Sequence, residues 1–188
     1  MILQDVLCSI KDALISSGLV NKFYEYCELI RRDDLTFPAY YIGGGENIQV
    51  QDFDVNGAGY IRKRGGVSVT DSPLPSVTAC DDITLLRITY PMRMVLGVPK
   101  SNLHDSPFSD DRLFYEILPI LDADYTATNV QSVDLNVRSY DTDSLSIWSQ
   151  EVKGFDYQMH FRLSYIAIDF DIVFTVQSDC INEVCYGY

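Results

Sequence analysis

Residues 85–98 read Leu85-Leu86-Arg87-Ile88-Thr89-Tyr90-Pro91-Met92-Arg93-Met94-Val95-Leu96-Gly97-Val98. Leu86, Ile88, Tyr90, Met92, Met94, Leu96 and Val98 occupy every second position, while Arg87, Thr89 and Arg93 point the other way. Side chains of a strand alternate between its faces, so this spacing predicts one long strand with a buried face. Pro91 has no N–H to give a ladder, which predicts an edge position or a bulge there. A second alternating run, Met159, Phe161, Leu163 and Tyr165, continues as Ile166, Ile168, Phe170, Ile172, Phe174 and Val176. The one-residue slip in phase predicts a β-bulge near Tyr165-Ile166. At roughly 18 residues, against the usual five or six, such a strand is expected to project beyond the domain or bend between two surfaces.

Helices and turns fill in around these two strands. Leu3, Val6, Leu7, Ile10, Ala13 and Leu14 recur at helical spacing over residues 2–17, and Gly18 follows in the usual stop position. A strand is expected from about Leu19 to Leu29, and a short β run at Phe37–Ile42 ends in Gly43-Gly44-Gly45. Residues 43–82 are polar and rich in Gly and Pro, which predicts long loop excursions or arms. Ser109-Asp110-Asp111 opens a helix to about Leu121, with Pro119 weakening its last turn. Val133, Leu135 and Val137 alternate in a further strand. Asp141-Thr142-Asp143-Ser144 caps a short helix bearing Leu145, Trp148 and Val152. The order predicts a single α+β domain over residues 1–188. Its sheet is mixed and largely antiparallel, with helices packed on one face and long projecting hairpin or loop arms.

Composition excludes several functions. The chain has 188 residues, with 14 Lys+Arg against 27 Asp+Glu and a net charge of -13. Binders of nucleic acid and of anionic membranes rely on clustered Lys and Arg, and this balance opposes both. No apolar run is long enough for a transmembrane helix, and the start of the sequence predicts no signal peptide. Cys8, Cys27, Cys80, Cys180 and Cys185 form an odd set, which without a secretion signal predicts reduced thiols in a cytosol.

Motifs of catalysis and metal binding are missing. No Gly-x-Ser-x-Gly occurs, Gly43-Gly44-Gly45 lacks the Lys-Ser/Thr ending of a P-loop, and Gly57-Ala58-Gly59 lacks the third glycine of a dinucleotide fingerprint. Asp122-x-Asp124 and Asp141-x-Asp143 begin like calcium loops but lack the later Gly and Glu. The expectation is therefore no enzyme, no cofactor and no metal. Asp169 and Asp171 share one face of the last strand and read as a solvated or lumen-facing pair.

Charge is patterned along the chain. Arg62, Lys63 and Arg64 form a dense basic segment, read as a solvated hairpin tip or as an arm for a neighbouring subunit. Acids concentrate further on, with Asp110, Asp111, Asp141 and Asp143 as a candidate acidic surface or lumen and Glu151 in the same body. A basic arm and an acidic body on one chain favour head-to-tail contacts.

The order of pieces resembles the tail-terminator and tail-completion proteins of tailed bacteriophages. An amphipathic helix ends at Gly18, and a strand and a Gly-rich excursion follow. Then come the strand from Leu85, the helix opened by Ser109-Asp110-Asp111, and the late strand Tyr165-Ile166-Ala167-Ile168-Asp169-Phe170-Asp171-Ile172. The likeness is one of layout and covers most of the chain; the excursion and the last strand are longer than the pattern. It implies a structural virion protein made in the host bacterial cytoplasm. The implied partners are copies of itself in a ring, a hexamer or dodecamer, together with neighbouring neck or tail proteins and DNA passing through the channel. Two rival readings remain. One is a glycan-binding module using Tyr40, Tyr41, Tyr60 and Trp148, and the other a hydrolase using Asp169, Asp171 or His104.

Overall fold

The computed structural model describes residues 2–43, 46–50, 53, 56–71, 85–103, 109–154 and 161–177. The elements run α1 (Ile2–Ser16), β1 (Lys22–Arg32), β2 (Leu35–Gly43), β3 (Glu46–Gln49), β4 (Ala58–Lys63), β5 (Ser68–Asp71), β6 (Leu85–Pro99), α2 (Ser109–Leu121), β7 (Ser132–Asp141), α3 (Ser144–Glu151) and β8 (Leu163–Gln177). A 3-10 turn at Lys100–Leu103 leaves β6. The strands form one sheet in the order β3-β2-β1-β4-β6-β8-β7, with β5 also pairing β6. Only β1 and β4 run parallel; the other pairs are antiparallel. The α+β class is as the element order predicts.

The backbone of the sheet is the β6–β8 ladder. All 15 residues of β6 pair with all 15 of β8, from Leu85↔Gln177 to Pro99↔Leu163. The register has no break at Tyr165-Ile166, so the predicted bulge is not there. The phase of the pattern slips for another reason: both faces of β8 are covered. Ile166, Ile168, Phe170, Ile172, Phe174 and Val176 enter one apolar cluster beneath α1 and α2. Leu163, Tyr165 and Ala167 enter a second cluster with Ile147 and Trp148 of α3. A strand buried on both faces reads as a continuous apolar run, and alternation loses its meaning there. Nor does β8 project from the domain, since it is flanked by β6 and β7.

Pro91 likewise sits in an interior strand rather than at an edge. β4 and β5 pair successive stretches of the same side of β6, Lys63↔Met92 and Ser68↔Thr89. Between them the Arg64 N–H donates to the Pro91 carbonyl at 2.8 Å. A strand residue points its N–H and C=O to the same side, so the donor that Pro91 lacks faces the gap between β4 and β5. The irregularity falls on the neighbouring strands.

The 43–82 region is not one long excursion. It supplies β3, β4 and β5, and β4 is interior, between β1 and β6. Gly59 lies inside β4, where packing rather than a turn requires it. A Cβ on Gly59 would clash with Leu96 of β6 and meet the Phe23 ring of β1 at 3.0 Å, so glycine lets β1 and β6 side chains close over β4. Residues 72–84 lie outside the described set.

The helices divide between the faces. α1 buries Val6, Leu7, Ile10 and Leu14, and α2 buries Leu113, Ile117 and Leu121, both on the first cluster. Gly18, at φ 75°, ends the α1 segment as its position predicts. α3 lies on the opposite face, where Trp148 packs edge-on to Phe53 and Tyr165 at 5.4 and 5.7 Å. Asp143 is its N-cap and accepts from the Leu145 N–H at 2.9 Å. Asp143→Ala is expected to lower stability by about 1 kcal/mol, read as a shift in the urea midpoint at constant slope.

Candidate functional site

The α3 face of the sheet carries a row of polar residues in register. Arg62 of β4 pairs with Arg93 of β6, Arg93 with Asp169 of β8, and Asp169 with Ser139 of β7. The last residue of α3, Glu151, closes over this row with 0% exposure. Its placement follows from helical spacing, because Ile147, Trp148 and Glu151 fall on one face and that face is turned to the sheet.

Glu151 is held by three side chains. Arg62 clasps it with two prongs, Nε to Oε2 and Nη2 to Oε1, both at 2.7 Å. The Tyr60 hydroxyl donates to Oε2 at 2.9 Å. Arg93 Nε lies 3.0 Å from Oε1. Arg93 also reaches Asp169, with Nη1 at 3.3 Å from Oδ1. Asp169 takes a second cation, Arg64, through Nη1 at 2.7 Å, and a hydroxyl from Ser139 at 3.4 Å. Further along the same face Arg138 donates to Asp171, from Nε at 2.8 Å and also from Nη2. One carboxylate thus ties α3 to β4 and β6, and a second ties β6 to β8 and to the Arg64 turn.

These charges are inside the protein. Arg62, Arg93, Asp169, Asp171 and Glu151 are all buried. Burial acts to lower the Arg62 pKa, but the Glu151 hydrogen bond and charge outweigh it and raise the value. Tyr60 is pushed well above its ordinary 10, first by burial and then by the Glu151 carboxylate. Burial pushes Tyr125 up to about 12. Both phenols ionise near 10 in an unfolded chain, so the unfolded state releases protons first as pH rises. The stability they contribute is therefore complete below about pH 10 and is lost above it. Urea midpoints measured between pH 8 and pH 11 are expected to fall only in the upper part of that window.

The structure relocates several residues singled out in the sequence. Arg62, Lys63 and Arg64 do not form an exposed arm. Arg62 is in the interior against Glu151, Arg64 is half-exposed and ion-paired, and Lys63 alone stands free in solvent. The reason is geometric, since β4 is an interior strand with one side turned to α3. Asp169 and Asp171 are not a solvated pair but buried, ion-paired struts; His104, the third residue of the hydrolase reading, lies outside the described residues. Glu151 leaves the acidic exterior for the core. Asp111 is exposed, the Asp110 side chain is outside the described set, and Asp141 and Asp143 cap the start of α3. Asp141 also accepts from Ser146 Oγ at 2.6 Å.

The four aromatics of the glycan reading are not brought together on a surface. Tyr60 and Trp148 are 0% and 4% exposed in the core, whereas Tyr41 is 60% exposed. Tyr40 is half-buried, its ring 5.4 Å from that of Tyr24. Among the described residues no group of three or more His, Cys, Asp or Glu is placed to hold a metal ion, and no helix is long and apolar enough to cross a membrane.

Sequence reasoning missed Glu151 and Arg93 as a linked pair. The available signals were a glutamate on the apolar face of a short helix and an arginine on the polar side of the strongest strand. No protein-family model matches this chain, and a search of curated proteins finds no match either.

Proposed function

We propose that this chain is a structural subunit of a tailed bacteriophage, assembled as a ring at the head–tail connector or in the tail around a DNA channel. The observation that carries the reading is the direction in which charge is sorted. Asp111, Asp122, Asp124, Asp134 and Asp143 are exposed. Arg112 and Arg138, the bases between residues 111 and 143, are each paired within the chain, with Glu116 and Asp171. Arg62 and Arg93 are spent inside on Glu151. An exterior sorted in this way repels phosphates, so an acid-lined ring lets DNA slide without sticking. The layout of helix, long central strands and late strand, which resembles the tail-terminator group, supports the same reading.

Two measurements test it. Native mass spectrometry is expected to give a closed oligomer, and cryo-EM of virions is expected to place it between capsid and tail tube. A monomer absent from virions would overturn the reading.

A further inference from the structure

Gly57 follows Asn56, and this is the only Asn-Gly pair in the chain. The other six asparagines precede residues that carry side chains. A following side chain shields the main-chain nitrogen, whereas glycine leaves it open. Asn56 is exposed in a turn, and it lines a solvent-open cavity of about 380 Å³ with Asn21, Ser101 and Asn102. Water therefore reaches the turn.

Gly57 is buried and seated against the end of β6. At its φ of 80° a Cβ would stand 2.6 Å from Pro99 Cδ and 2.8 Å from the Gly97 carbonyl oxygen. The next residue, Ala58, enters β4 opposite Gly97. Earlier in the chain, Phe53 is 6% exposed, edge-on to Trp148 at 5.4 Å and stacked on Tyr165 at 6.3 Å. A Cβ on Gly97 would stand 2.6 Å from the Phe53 ring, so this ring and Gly57 both sit on Gly97. Asn56 thus lies between two anchored points, Phe53 and Ala58, both in the second cluster.

We propose that Asn56 is a site of spontaneous modification, at which the folded chain converts to isoaspartate and loosens the Phe53 anchor. Hydroxide removes the Gly57 amide proton, and the nitrogen attacks the side-chain carbonyl carbon of Asn56. The bond from that carbon to the side-chain nitrogen breaks, ammonia leaves with a proton from water, and a five-membered succinimide is closed. Water then adds to one of the two ring carbonyls. Opening at the main-chain carbonyl leaves Gly57 joined through the side chain, as isoaspartate; opening at the other gives aspartate. Both products gain a carboxylate, and isoaspartate adds a methylene to the main chain. Gly57 has no room to move toward Gly97 and Pro99, so the added length is taken up on the Phe53 side.

The experiment ages the full chain in mildly alkaline buffer beside Asn56→Gln, which keeps an amide but would have to close a slower six-membered ring. Circular dichroism first establishes that both are folded. Peptide mapping by mass spectrometry, with isoaspartate told from aspartate by retention time, is expected to show Asn56 converting several-fold faster than any other asparagine. The rate is expected to rise with pH, because the attacking nitrogen must lose its proton. Trp148 is the only tryptophan, so its emission reads the contact with Phe53. That emission is expected to shift to the red as conversion proceeds in the parent, and to hold steady in the variant. Conversion that occurs only after unfolding in urea, or that runs no faster than at the other asparagines, overturns the site. Conversion with unchanged Trp148 emission overturns the loosening of Phe53.

Discussion

Glu151→Gln is expected to destabilise the fold by about 3–5 kcal/mol, the usual cost of removing one partner from a buried ion pair. The glutamine keeps the shape but loses the charge that holds two buried guanidiniums. Arg62 then has no anion, and Arg93 keeps only Asp169, which it shares with Arg64. Tyr60 retains an acceptor only if the amide turns its oxygen toward it. Domains of this size hold about 5–15 kcal/mol in all, so the variant stands near the edge of folding. The measurement is urea unfolding followed by the fluorescence of Trp148, which packs in the same cluster as the Glu151 helix. A midpoint equivalent to within about 0.5 kcal/mol of the parent, the ordinary range of surface substitutions, would show that the cluster is solvated in solution. Arg62→Met tests the other half of the clasp. Its effect is expected to be strongly non-additive with that of Glu151→Gln, as residues of one charge network are coupled.

Phe170→Ala is expected to cost about 3–5 kcal/mol by a different route, the loss of a buried ring and the cavity left in its place. Phe170 is 1% exposed, in the cluster beneath α1 and α2. It lies in β8 with Met92 of β6 on one side and Val137 of β7 on the other, so the strands cannot close the gap independently. Phe161, two residues before β8, is 77% exposed, with the Arg162 guanidinium 5.5 Å from its ring centre. Phe161→Ala is therefore expected to stay within about 0.5–1 kcal/mol of the parent, the range of an exposed cation–π contact. Paired urea titrations of the two alanine variants check both values. Equal losses would contradict the placement of the two rings.

Much of the architecture was legible because its signals are local. The period of α1, the stop at Gly18, the alternation of β6 and the Asp143 cap each depend on residues close in sequence, and each element stands where that pattern puts it. The charge cluster was illegible for the opposite reason. Arg62 and Glu151 are 89 residues apart, and Arg93 and Asp169 are 76 apart. No local period records that β4, β6 and β8 bring them into one row or that α3 closes over it. Arg62-Lys63-Arg64 has the composition of a solvated tip, and only the strand order turns its first residue inward.

The phase slip at Tyr165-Ile166 shows the same boundary. Pattern reading assumes a strand with one wet face, and under that assumption a slip means a bulge. With helices on both sides of β8, the same letters need no bulge. The sequence by itself determined the class of the fold, the two long strands, the helices and the excess of acid, since these follow from residue type and short-range period. Only the tertiary structure decided which charges stay outside. Burying a charge is costly unless an opposite charge meets it, and that meeting depends on which distant strands become neighbours.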